Sequence, residues 1–212
     1  MIESSIHHQR ELDTTTDSPR RYRWRVVDIV VASVLAVAVG VVFWAWGVAW
    51  SGIETPFKAI APGVQAFPAA VWLVGGVLGG LVIRKPGAAL YVELLAATVS
   101  ALIGTQWGLS TLEAGLVQGL GAELLLAIFL YRRWTLPVAW LAGAGAGVAM
   151  VINDRIISYP KASSAFTTIY AISGVLGGAV LAGTLAWLAT RTLARSGALS
   201  RFASGRESRA LV

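Results

Sequence analysis

Three carboxylates lie within two long apolar segments between Pro86 and Tyr131, where a membrane-spanning chain should carry hydrocarbon. Glu93 lies in the first segment, and Glu113 and Glu123 lie in the second. A charged side chain at bilayer depth costs on the order of 3 kcal/mol or more, so it needs a partner, a water-filled cavity or a ligand. These residues therefore predict a polar pocket inside a helix bundle.

Aromatic and amide side chains accompany these carboxylates. Aromatic faces attract cations, and a carboxylate balances a positive charge, so the combination suits a ligand that has a ring and a positive charge. Most of the tryptophans would also suit the aromatic belt at a membrane surface. The candidate substrate-binding residues are Glu93, Gln106, Trp107, Gln118, Glu123, Tyr91, Trp72, Trp44, Asn153 and Tyr170.

The carboxylates differ in how well their positions indicate ligand binding. Gly115, Gly119 and Glu123 recur every four residues, which turns Glu123 into the bundle along a stripe of small residues. Glu113 is explained as well by solvation, or by the dipole at the start of its helix. Glu93 lies only about 8 Å from the predicted cytoplasmic end of its helix, within reach of basic side chains there. A structural ion pair is therefore the alternative to ligand binding. The cations that could reach it are Arg84, Lys85, Arg132 and Arg133.

The composition predicts the fold class, an all-α integral membrane protein with six transmembrane helices. Of the 212 residues, 56% are hydrophobic and only 13% are charged, against about 25% charged in soluble domains. The net charge of +6 falls between apolar segments and at the termini, which fits membrane topology better than nucleic-acid binding. Cysteine is absent and both histidines, His7 and His8, lie in the polar N-terminal stretch. The sequence therefore predicts no metal site, no cofactor and no catalytic residue.

The helices are expected between two polar tails. We expect a disordered N-terminal tail over residues 1–25 and a basic C-terminal tail over 191–212. The connection 51–65 contains glycine and proline among apolar residues, so it is either a lid or an ordinary surface loop. The six helices are predicted over residues 26–50, 66–83, 88–104, 111–131, 136–153 and 167–190.

The distribution of Lys and Arg predicts the orientation, because cytoplasmic connections retain these residues. Placing the N-terminus inside puts fourteen Lys and Arg on the inner side and three on the outer side. Both termini are therefore predicted to be cytoplasmic, in a multi-pass protein of the plasma membrane.

Several stretches of this chain resemble one known family. They are the first-helix entry YRWRVVDIVVASVLAVAVGVVFWAWG, the block GGVLGG, and YVELLAATVSALIGTQWG followed by GLVQGLGAELLLAIFLY. Over most of residues 22–190 the chain resembles the YkoE family, substrate-capture (S) components of energy-coupling factor (ECF) vitamin transporters. The resemblance implies binding of thiamine, or of its hydroxymethylpyrimidine precursor (HMP), near the outer face. It also implies a transmembrane coupling subunit and two ATPases as partners.

The resemblance further implies that a small-residue face of the first helix contacts the coupling subunit. Ala32, Ala36 and Gly40 are spaced by four residues and form such a face. Packing inside the bundle explains this spacing as well.

No ATP-binding motif is present, since none of the three lysines follows a glycine. The chain is therefore predicted to be a transporter subunit without its own ATPase rather than an enzyme. The alternative is a self-contained secondary transporter in which Glu93 and Glu123 carry protons. A membrane-embedded enzyme is the least favoured class, because the apolar segments contain no His or Cys.

Overall fold

The described part of the chain is a bundle of helices without strands. A computed structural model describes residues 22–199 and residue 202. In chain order the six helices of this part are α1 (Val26–Ile60), α2 (Ala66–Ile83), α3 (Ala88–Gly104), α4 (Ser110–Ile128), α5 (Leu136–Ile157) and α6 (Ser164–Arg195). Helix α2 contains a 3₁₀ segment at Ala70–Leu73, and α6 contains a π-helical segment at Gly177–Ala182.

Five of these helices are long and apolar enough to cross a membrane, and α3 is an apolar helix of 17 residues. This confirms the prediction of an all-helical protein with multiple spans. The predicted inward position of both termini is not tested by the fold and stays a prediction.

Helix α2 is the centre of the bundle. In its most apolar stretch 83% of the residues are buried, against 33% in α1. Glycines make this burial possible, because a Cβ atom added at Gly79 would lie only 2.6 Å from the Cβ of Val92 on α3. The two backbones therefore approach as closely as small residues allow in membrane bundles.

The small-residue face of α1 packs against α3 inside the bundle. Ala32 and Ala36 are fully buried, and a Cβ atom added at Gly40 would lie 2.7 Å from the carbonyl oxygen of Ala96. In this conformation Ala32, Ala36 and Gly40 face α3, so contact of this face with a coupling subunit stays a prediction. Packing within the bundle, the alternative interpretation, accounts for the spacing.

Helix α1 continues ten residues beyond its predicted end. Glu54 and Lys58 form an i,i+4 ion pair of 2.8 Å, and the Thr55 hydroxyl donates to the carbonyl of Ser51 at 2.7 Å. These contacts accompany a helix that continues through Pro56 as far as Ile60. The predicted connection 51–65 is thus shortened to residues 61–65.

Three other helices, α4, α5 and α6, also differ from the prediction at their ends. Helix α4 ends at Ile128 rather than at residue 131, because Leu130 and Tyr131 both have a φ of 52° and turn the chain out of the helix. Helix α5 continues to Ile157, and α6 covers Ser164–Arg195, longer at both ends than predicted. The predicted tails lie largely outside the described residues.

The helices alternate in direction, so the bundle has two distinct ends. At one end the start of α1 is joined to the α2–α3 connection: Asp28 pairs with Arg25 at 3.0 Å and with Lys85, and Trp24 donates to the carbonyl of Pro86 at 2.9 Å. This end, which also carries the α4–α5 connection, is called the basic end. The opposite end, with the connections 61–65, 105–109 and 158–163, is called the mouth end.

Candidate binding cavity

A cavity of about 170 Å³ lies among the helices and reaches the mouth end. Helices α1 to α6 all contribute to its lining. Glu93 of α3 lies in the deep part of the cavity, eleven residues, or about 16 Å, from the end of its helix at the mouth. The side chains of Trp107, Thr111 and Tyr159 line the part near the mouth. The cavity therefore connects a buried carboxylate with one face of the bundle.

Glu93 offers one unused acceptor to this cavity. The residue is only 1% exposed, and its Oε2 accepts a hydrogen bond from the backbone N–H of Gly76. This N–H is available because Gly76 lies in the first turn of the α-helical segment Val74–Ile83, whose first amides have no partner within that segment. The other oxygen, Oε1, is buried and makes no hydrogen bond. Since an unpaired buried acceptor is costly, this oxygen is suited to a donor from a ligand.

Three tryptophans form one wall of the cavity. The ring centroids of Trp50 and Trp72 are 4.7 Å apart, and those of Trp72 and Trp107 are 5.0 Å apart at nearly a right angle. The Trp72 ring is fixed by a hydrogen bond from Nε1 to the carbonyl of Phe43 at 3.2 Å. This wall can hold a flat or cationic ring by stacking.

The opposite wall carries phenols and a carboxylate. Tyr170 donates its hydroxyl to Asp154 at 2.5 Å, and its ring lies 5.2 Å from that of Tyr159. Tyr159 belongs to the α5–α6 connection, and burial raises the pKa of its phenol, an effect partly offset by a hydrogen bond with Gln65. The phenol therefore stays neutral at the mouth of the cavity. In the described part of the chain no three His, Asp or Glu side chains come together in a way that could hold a metal ion.

Six of the ten predicted site residues lie together in this cavity, and all but Trp72 and Trp107 are buried. They are Glu93, Trp72, Trp107, Gln118, Asn153 and Tyr170. Glu113, Asp154 and Tyr159 also line it. They are not among the ten candidates, although the sequence placed Glu113 with Glu93 and Glu123 as a carboxylate of the predicted pocket. The available signal was position, because Glu113 and Asp154 each lie within one turn of a helix end at the mouth.

Glu123 is not in the cavity. Its Oε1 accepts from the N–H of Gly87 at 2.7 Å and from the Tyr131 hydroxyl at 2.6 Å, and its Oε2 accepts from the N–H groups of Ala89 and Leu90 at 2.9 and 3.3 Å. It therefore caps the start of α3 at the basic end. The glycine stripe correctly predicted that Glu123 faces into the bundle, but Glu123 lies at the basic end and outside the cavity.

The other three candidates also lie elsewhere. The Tyr91 hydroxyl bonds Ser33 on α1 at 2.7 Å, and exposed Gln106 donates to the carbonyl of Gly47 at 3.4 Å. Trp44 is half-buried on α1 and does not line the cavity. The structural alternative for Glu93 is not realised either, because no ion pair in the described part of the chain includes it and Lys85 pairs with Asp28.

Comparisons with known proteins agree with this architecture. Residues 27–149 match the family model described as "ABC-type cobalt transport system, permease component". The chain is 38% identical over 194 residues to the putative HMP/thiamine permease protein YkoE of Bacillus subtilis (strain 168), covering 87% of this chain and 92% of that protein. A crystal structure of an S-component of an ECF transporter superposes with a TM-score of 0.75 at 32% identity, covering 88% of this chain and 94% of that one.

The apolar helices and these relatives define the class as a multi-pass transporter component of the plasma membrane. Within that class, the chain belongs to the YkoE family.

Proposed function

We propose that this chain is the substrate-capture component of an ECF vitamin importer, and that its cavity binds thiamine or HMP. The observation that carries the proposal is the buried Glu93 carboxylate, whose Oε1 lacks a hydrogen bond inside a cavity that reaches the mouth end. The printed name of the Bacillus subtilis relative supports the ligand class, and the S-component structure supports the role in an importer.

The size of the cavity suits one aromatic ring in its deep part. A cavity of roughly 150 Å³ is enough to hold benzene, and this one measures about 170 Å³. The aminopyrimidine ring that thiamine and HMP share would occupy the deep part, beside Glu93. The thiazolium ring of thiamine would then lie toward the mouth.

The chemistry of the lining suits the same two ligands. The amino group of the pyrimidine is a hydrogen-bond donor for Glu93 Oε1, and the side-chain amides of Gln118 and Asn153 provide both donors and acceptors. Trp72 and Trp107 provide aromatic faces for the cationic thiazolium. Each ring of thiamine therefore has a complementary set of side chains.

Intrinsic fluorescence tests this assignment, because Trp50, Trp72 and Trp107 line the cavity. The detergent-purified protein is titrated with thiamine, HMP and riboflavin. We expect saturable quenching by thiamine or HMP at submicromolar concentration and none by riboflavin. Folded protein that gives no response to either pyrimidine, by fluorescence and by calorimetry, would contradict the proposed ligand class.

We further propose that a transmembrane coupling subunit and two ATPases supply the energy for uptake. The competing function is a proton-coupled secondary transporter, which the burial of a carboxylate in the cavity favours. Proteoliposomes that contain this chain alone separate the two. We expect them to bind thiamine without accumulating it, whereas accumulation abolished by a protonophore would establish the competing function.

A further inference from the structure

The mouth of the cavity carries carboxylates that the proposed recognition of the pyrimidine does not use. Glu113 and Asp154 line it together with the deep Glu93. Oε2 of Glu113 is buried and without a hydrogen bond. Three carboxylates thus face one small space.

No Lys, Arg or His of the described residues lines the same cavity. Arg155, adjacent to Asp154, donates its guanidinium to the carbonyls of Tyr159 and Pro160 at 2.9 and 2.7 Å, so it is held by the α5–α6 connection. Lys58, at the mouth end of α1, pairs with Glu54 at 2.8 Å. The charge of the cavity is therefore negative or zero, never positive.

Three helices begin at the mouth end, and of these α4 lines the cavity with its first turn. Helix N-termini favour negative charge because their first N–H groups lack partners. Here Glu113 lies in the first turn of α4 and places its own negative charge there. The N–H groups of Thr111 and Leu112 already donate to the carbonyls of Gly108 and Leu109, at 3.3 and 3.1 Å. An external anion would meet this carboxylate instead of free donors.

We propose that Glu113, assisted by Asp154, makes the cavity selective against anionic forms of its substrate. Thiamine and HMP each carry a primary alcohol, and phosphorylation of that alcohol adds two negative charges. The proposed position of the pyrimidine beside Glu93 directs this alcohol toward the mouth. The site thereby takes the free alcohols and rejects their phosphate esters. This inference rests on the proposed function.

Binding titrations with matched ligands test the selectivity. Dissociation constants are measured by tryptophan fluorescence for thiamine, HMP, the phosphate monoester of each alcohol, and the neutral acetyl ester as a control for size. We expect each phosphate ester to bind at least about a hundredfold more weakly than its alcohol, since an unpaired charge is costly to bury. The acetyl ester should bind much more tightly than the phosphate ester.

Two variants of one residue test the role of Glu113. In Glu113→Gln the ratio of the two dissociation constants, ester over alcohol, should fall about tenfold or more, because the negative charge that repels the phosphate is removed. In Glu113→Asp, which keeps the charge, the ratio should stay high. Saturable binding of the alcohol by each variant shows that it is folded.

The outcomes are distinguishable. If neither alcohol binds the wild-type protein, the proposed function fails. Equal binding of alcohol and phosphate ester leaves that function intact and overturns the selectivity. If the acetyl ester is rejected as strongly as the phosphate ester, or if Glu113→Gln leaves the ratio unchanged, exclusion by the charge of Glu113 is wrong.

Discussion

The two oxygens of the Glu93 carboxylate have different surroundings. One oxygen accepts from the N–H of Gly76, and the other makes no hydrogen bond and accepts from the ligand in the proposed binding mode. We expect Glu93→Gln to weaken binding of thiamine and HMP at least tenfold, about 1.4 kcal/mol, because charge-assisted hydrogen bonds are stronger than neutral ones. Calorimetric titration measures this, and an unchanged dissociation constant in folded protein would remove Glu93 from the site.

Glu123 provides the matched comparison, since it is also a buried carboxylate of the bundle but caps α3 instead of lining the cavity. We expect Glu123→Gln to lower the stability by about 1–3 kcal/mol, because it weakens hydrogen bonds to the α3 amides and to Tyr131. Thermal unfolding of the purified protein shows this as a lower midpoint, while the dissociation constant for the ligand stays near that of the wild type. A large loss of affinity with unchanged stability would return Glu123 to the ligand site.

At the scale of elements, the contact between α1 and α3 buries the small-residue face of α1 inside the bundle. Ala36 is fully buried in this contact, whereas Val34 on the same helix is 65% exposed. We expect Ala36→Leu to destabilise the bundle by about 1–3 kcal/mol through overpacking, and Val34→Leu to leave the unfolding midpoint unchanged. Equal midpoints for the two variants would show that α1 is not packed on α3 through this face.

Helix ends were the part of the fold that the sequence predicted least well. Gly52 and Pro56 indicated a loop after residue 50, but the Glu54–Lys58 pair continues the helix through them. A single sequence shows that this pair can form, but it does not show whether the helix continues past Pro56. At the other end of the bundle, Leu130 and Tyr131 end α4 through positive φ values, a conformation for which neither residue type gives a signal.

At the scale of the whole molecule, residue type predicted the lining of the cavity better than position along the helix did. Glu93, Gln118 and Asn153 were chosen because polar groups are rare in apolar helices, and all three line the cavity. Glu123 was chosen for the same reason, but its depth depended on where α3 and α4 overlap, which a single sequence does not contain. Periodicity gives the direction of a side chain around its helix, and only packing gives its level along the bundle.

The two ends of the bundle also make the predicted orientation testable. The basic end carries Arg84, Lys85, Arg132 and Arg133 in its two connections, so the retention of positive charge on the inner side predicts that it faces the cytoplasm and that the cavity opens outward. Because the chain has no cysteine, single-cysteine variants can be labelled without background.

We choose two exposed positions at opposite ends, Lys161→Cys at the mouth end and Arg132→Cys at the basic end. A membrane-impermeant maleimide applied to intact cells should label the first variant and leave the second unlabelled until the cells are lysed. Labelling of both variants after lysis is the control for reactivity. The reverse pattern in intact cells would place the mouth of the cavity inside, where a component that captures its substrate from outside could not bind it.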